Sequence, residues 1–131
     1  MDHTLLTLPI STMASIIPIF RIFDYDKALE FYVTWLGFKI DWEDKPDNAP
    51  HYLQLSLQDL HLHLTEHHGD CTPGARAYIT LFKDLKEYHN QLLAKPYKFN
   101  RPSLEATTHG GNTLCMEVID PFGNRLTFHG R

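Results

Sequence analysis

Hydrophobic positions along this chain fall into two successive rounds of the same order. In residues 16–65 an apolar run over 16–23 precedes a stretch with helical spacing, where Ala28, Leu29, Tyr32, Trp35 and Leu36 share one face. Three short runs follow, over residues 38–43, 51–57 and 60–65. In residues 77–129 the order returns. A strand over 77–82 leads to a helix with Leu85, Tyr88, His89, Leu92 and Leu93 inward, and a hairpin built from 113–119 and 125–129 closes the round. A duplicated unit with one helix per copy leaves much of each sheet uncovered. Function is therefore expected in a cavity between half-covered sheets.

Local signals place the ends of these elements. Asp24 reads as an N-cap, Gly37 as a left-handed stop, and Asp84 with Glu87 as a capping box. Gln58-Asp59 reads as a tight hairpin, residues 44–50 as a polar loop, and residues 66–74 as the linker between modules. Residues 101–111 read as one long loop, and Asp120 to Asn124 as a turn set by Pro121 and Gly123. Residues 1–15 lack a sustained period and read as an N-terminal arm, leaving 16–131 as a single domain of modules 16–65 and 77–129.

Alternation within the strands sorts side chains into faces. Leucines 60, 62 and 64 oppose His61, His63 and Thr65, while leucines 53, 55 and 57 oppose Tyr52, Gln54 and Ser56. Pairing 119 with 125 across the last turn sets Val118 opposite Leu126 and Glu117 opposite Thr127. Each sheet thus keeps an apolar face for its helix and a more polar face. The expected class is α+β, with two βαβββ modules forming curved mixed sheets around a wet cavity.

Composition narrows the partners. The chain has 131 residues, 43% hydrophobic and 12% aromatic, which suits one globular domain. Net charge is −4 with no basic run, so nucleic acid is not an expected partner. No apolar run approaches the ~20 residues of a membrane span, and the N-terminus does not read as a secretory signal. Cys71 and Cys115 form no CxxC pattern, and a reduced cytoplasm is the expected location.

The stretch D24-Y-D-K-A-L-E-F-Y-V-T-W-L-G-F38, combined with D120-P-F-G-N-R-L, resembles the glyoxalase / bleomycin resistance / extradiol dioxygenase superfamily, with its vicinal oxygen chelate fold. The likeness spans residues 16–129 and is strongest to the bleomycin-resistance-type members, supported by L62-H-L-T-E-H-H-G-D70. It implies a homodimer with ligand pockets in concave sheets. Metal-dependent members place one ligand on each of four strands, and the matching positions here are Ile17, His63, Tyr78 and Thr127. Isoleucine cannot coordinate, and neutral threonine and tyrosine are poor donors for zinc or iron. The expectation is a protein without metal or other cofactor and without catalytic residues.

The candidate ligand-binding residues are Trp42, Tyr52, His61, His63 and Tyr78, with Glu66 and His68 at the rim and Glu117 as an acidic wall. His61 and His63 share a strand face and read as pocket wall, as part of an unusual metal site, or as structure. Glu117 reads as a holder for a ligand cation, as a base, or as the partner of Arg21 or Arg125. Trp42 and Tyr52 divide between stacking platforms and ordinary packing, whereas Trp35 reads as core. Cys115 reads as a small buried residue rather than a nucleophile. The leading expectation is sequestration of a cationic, aromatic drug of the bleomycin type. The alternatives are a glyoxalase-like lyase or isomerase using His63 and Glu117 as acid and base, and an interaction module with a vestigial pocket.

Overall fold

The computed structural model describes residues 13–45, 47, 49–97, 100–107 and 113–131. Of the expected arm, only residues 13–15 fall within that set. The order is β1 (Ile19–Arg21), α1 (Tyr25–Leu29), continued by a π-helical turn (Glu30–Trp35), β2 (Lys39–Asp44), β3 (Tyr52–Leu57) and β4 (Leu60–Thr65). The second round is β5 (Arg76–Phe82), α2 (Leu85–Ala94), β6 (Glu105–Thr107), β7 (Thr113–Ile119) and β8 (Arg125–Gly130). Each round makes its own four-stranded mixed sheet, ordered β1-β4-β3-β2 and β5-β8-β7-β6. The repeat read from the sequence is thus a repeat of architecture, with β1 parallel to β4 and β5 parallel to β8.

The first helix starts where Asp24 accepts from the Lys27 amide at 3.0 Å, and it stops at Gly37 with φ of +87°. Its second half widens, the Leu36 amide reaching back to the Phe31 carbonyl at 2.9 Å. The wider turn buries Phe31, Tyr32, Trp35 and Leu36 together, and leaves Leu29 only partly covered. The second helix departs from expectation at its start. Asp84 adopts a left-handed conformation and its side chain makes no capping bond. The expected 101–111 loop likewise contains β6, which pairs antiparallel with β7.

One apolar cluster serves both modules. It takes Leu53, Leu55, Leu62 and Leu64 from the first sheet and Met116, Val118, Leu126 and Phe128 from the second, with both helices. Trp35 Nε1 donates to the Leu92 carbonyl at 3.1 Å, tying one helix to the other.

Asp120 and Asn124 do more than shape a turn. Both are buried, and Asp120 accepts from the Phe122 and Asn124 amides at 2.8 Å each and from the Tyr32 hydroxyl at 2.6 Å. Asn124 Nδ2 donates to the Arg21 carbonyl at 2.8 Å, while its Oδ1 accepts from the Ala75 amide at 3.0 Å. The last turn therefore fastens the second module to β1 and α1 of the first. Burial raises the Asp120 pKa above its ordinary value of 3.8, against the pull of those hydrogen bonds.

Candidate functional site

The polar face of the first sheet carries a connected cluster. Cross-strand register places Trp42 beside Gln54, Gln54 beside His63, and Ser56 beside His61. A bulge in β2 between Ile40 and Trp42 adds Asp41 to this side, where it accepts from Gln54 Nε2 at 3.0 Å and Ser56 Oγ at 2.8 Å. Partial burial acts to raise the Asp41 pKa. The Gln54 and Ser56 hydrogen bonds, with His61 and Lys39 nearby, outweigh it and hold the carboxyl below its ordinary value of 3.8.

That carboxylate orders the rest of the network. Because the Gln54 amide nitrogen faces Asp41, its carbonyl oxygen faces His63 Nε2, 2.9 Å away. Nε2 must then be the donor, which leaves Nδ1 to accept from the Tyr52 hydroxyl at 2.7 Å. Burial, with His61 adding to it, lowers the His63 pKa below its ordinary value of 6.5 and favours this neutral ring. Trp42 completes the cluster. It lies 6.0 Å from Tyr52 at an interplanar angle of 7° and edge-on to His63 at 5.3 Å, while remaining 44% exposed.

The other candidate residues separate from this cluster. His61 lines a cavity of about 410 Å³ where the edges of the two sheets approach, with Ile17, Phe38, Leu62, Tyr78 and Leu126. Its ring has no hydrogen-bond partner among the described residues. Glu66 bonds the His51 ring and backbone amide instead of joining His61 and His63. His51 in turn stacks on Tyr25, whose hydroxyl meets Glu43 and whose pKa burial pushes to about 12. His68 is exposed in the following turn.

On the second sheet, Glu117 is held by Arg76 at 2.7 Å, Arg125 at 3.1 Å and the Thr127 hydroxyl at 3.0 Å. Partial burial tends to raise its pKa, but Thr127 and the two guanidinium groups prevail and lower it below 4.5. Arg125 is the partner expected from the sequence, and Arg76 takes the place given to Arg21. Two positive charges on one carboxylate make Glu117 a poor seat for a ligand cation. Asp41 is the better one, and the strand pattern hid it because a bulge reverses the alternation.

Tyr78 stacks on His129, with ring centroids 4.2 Å apart. His129 also faces Cys115, and neither contact was anticipated although alternation from Thr127 along β8 places His129 on the same face. The four positions matching the family's metal ligands do not fit a metal. Both nitrogens of His63 are engaged, Ile17 offers only hydrocarbon, and the Thr127 hydroxyl donates to Glu117. Among the described residues no three His, Cys, Asp or Glu side chains converge as ligands.

A family model described as glyoxalase superfamily protein matches residues 2–131. The chain belongs to the glyoxalase superfamily. Among solved structures, this superfamily member is similar to a bleomycin resistance determinant encoded on the transposon Tn5, with 22% identity, TM-score 0.66, and coverage of 91% of this chain and 98% of that one. It is also similar to a bleomycin-binding protein complexed with bleomycin, at 20% identity and TM-score 0.64, covering 91% and 99%. A superfamily member from Sphaerobacter thermophilus gives 19% identity and TM-score 0.65, covering 92% and 99%. At such identities the likeness carries the fold. No curated protein matches the chain. No helix among the described residues is long and apolar enough to cross a membrane.

Proposed function

We propose that this superfamily member is a metal-independent binding protein that sequesters a planar, cationic small molecule of the bleomycin type. The observation that carries the reading is the half-exposed Trp42 ring, set beside Tyr52 and His63 and next to the ionised Asp41. Aromatic faces attract a planar ligand, and a fixed carboxylate beside them favours a cationic one. Asp41 takes the acidic role first expected of Glu117. His61 and Tyr78 line the separate cavity between the sheet edges, and Glu66 and His68 lie outside both. We further place the protein in the cytoplasm as a homodimer, a state favoured by exposed Ile16 and Ile19 before and at the start of the β1 edge strand.

A lyase or isomerase using His63 and Glu117 has less support. A general base needs a free acceptor near the reacting proton. His63 has neither nitrogen free, and Glu117 lies on the other sheet between two arginines.

Trp35 is buried and Trp42 is half exposed, so ligand-induced change in tryptophan emission reports Trp42. Titration with metal-free bleomycin is expected to give saturable quenching. Trp42→Ala, followed by calorimetry, is expected to weaken binding by about tenfold or more, given ~1–3 kcal/mol per stacked ring. Equal affinity in the folded variant, or no binding to the parent protein, refutes the reading.

A further inference from the structure

The hydrogen bonds around Trp42 all run toward Asp41. Its carboxylate is ionised and can only accept, so the Ser56 hydroxyl donates to Oδ1 at 2.8 Å and the Gln54 amide to Oδ2 at 3.0 Å. The Gln54 carbonyl oxygen takes the His63 Nε2 hydrogen at 2.9 Å. The Tyr52 hydroxyl in turn gives its hydrogen to His63 Nδ1 at 2.7 Å. Both hydroxyls, the imidazole N–H and one amide N–H are thereby consumed within the sheet.

The acceptors are not. A carboxylate has about four lone-pair directions, and the sheet uses one on each Asp41 oxygen. A second stays open on both oxygens, and others on the Tyr52 and Ser56 oxygens. Asp41 is exposed, so its open positions are within reach of a ligand. Against them stand the Trp42 Nε1 hydrogen and the second Gln54 N–H, the donors left among these residues. His61 and Lys39 are the basic groups close to the carboxylate, and neither bonds it among the described residues.

Stacking and charge alone treat planar cations of one size alike. Displaced water separates them. A ring laid on Trp42 covers the adjoining carboxylate and strips water from its open lone pairs, and an acceptor left bare is costly. A cation with N–H groups returns those hydrogen bonds in their stronger, charge-assisted form. A fully alkylated cation returns none. Amidinium and guanidinium groups hold their N–H bonds in one plane, in the forked arrangement that suits two carboxylate oxygens.

We propose, resting on the binding reading above, that the Trp42 face selects planar cations carrying N–H donors, of the amidinium or guanidinium class. Planar cations of equal charge without N–H bind less well. Asp41 determines this specificity, and Trp42 supplies the stacking face.

The test titrates the full chain by calorimetry with three probes of one ring size. Naphthamidinium has charge and N–H groups, N-methylquinolinium has charge alone, and neutral naphthamide has N–H groups alone. Naphthamidinium is expected to bind about tenfold or more tighter than either of the others. Asp41→Asn, at an exposed position and checked for folding by circular dichroism, is expected to bring the two cations within about twofold of each other. Equal affinity of the two cations, a preference kept in Asp41→Asn, or no binding of naphthamidinium overturns the proposal. Bleomycin tells its failure from that of the parent reading. Quenching of Trp42 by bleomycin with equal binding of the two cations removes the donor preference alone. No response to bleomycin removes sequestration of that drug type, while a tenfold preference among the probes still supports selection by Asp41.

Discussion

Removing the Asn124 side chain isolates the clamp between the modules. Asn124→Ala deletes three hydrogen bonds: to the Arg21 carbonyl at 2.8 Å, to Asp120 Oδ2 at 2.8 Å, and from the Ala75 amide at 3.0 Å. The site is 1% exposed, so the stranded carbonyl and amide cannot turn freely to solvent. Each unpaired buried group costs about 1–3 kcal/mol, and partial relaxation brings the expected total to ~2–4 kcal/mol. For a domain of this size that corresponds to a fall in Tm of roughly 10 °C. Urea unfolding, followed by far-UV circular dichroism and by Trp35 emission, measures it. Asn124→Asp sharpens the test by placing a second carboxylate beside Asp120. Its loss should be largest at neutral pH and should shrink on acidification, when the pair can share a proton. A loss below ~1 kcal/mol for Asn124→Ala, or a pH-independent loss for Asn124→Asp, refutes the clamp.

Three further outcomes follow from the same geometry. Glu117 has a folded pKa below its ordinary 4.5, so its stabilisation is complete above that value and disappears as pH falls through the folded pKa. Glu117→Gln should flatten this part of the acid-unfolding profile, and an unchanged profile speaks against the arginine pairing. Gly130→Ala should destabilise by ~2–4 kcal/mol or more, measured by urea midpoint, because an added Cβ would sit 2.0 Å from the Phe82 carbonyl oxygen. Asp41→Leu removes the acceptor that orients Gln54, so the His63 nitrogen spectrum should change from a single Nε2–H tautomer to a mixture. A spectrum that keeps the single tautomer shows that Asp41 does not set it.

The repeat was legible because strand alternation and helical spacing are local, and the register 119 to 125, 118 to 126 and 117 to 127 is the one observed. Leucines 53, 55, 62 and 64 are buried, as their alternation requires, and Trp35 is core. What escaped the sequence depends on neighbours distant along the chain. Asp120 and Asn124 look like ordinary turn residues until β1 and α1 arrive beside them. Glu66 stands next to Thr65 in sequence, but alternation directs it away from His63 and toward His51. Asp41 reaches the polar face only through the β2 bulge. Asp84 lacks its expected cap, since after β5 it adopts a left-handed conformation that the capping pattern does not reveal.

The structure gives a physical account of why the position of His63, one of the superfamily's metal positions, does not offer a metal ligand. A histidine can bind a metal only through a free lone pair, and a hydrogen-bonded neutral ring has one lone pair to give. At His63 that lone pair accepts from Tyr52, and the remaining N–H is directed at Gln54 by a carboxylate anchored through Ser56. Restoring one missing ligand would therefore not restore a metal, because the histidine would first have to break its bond to Tyr52. With lone pair and N–H both satisfied within the sheet, the cluster presents ring faces and edges outward beside a fixed negative charge.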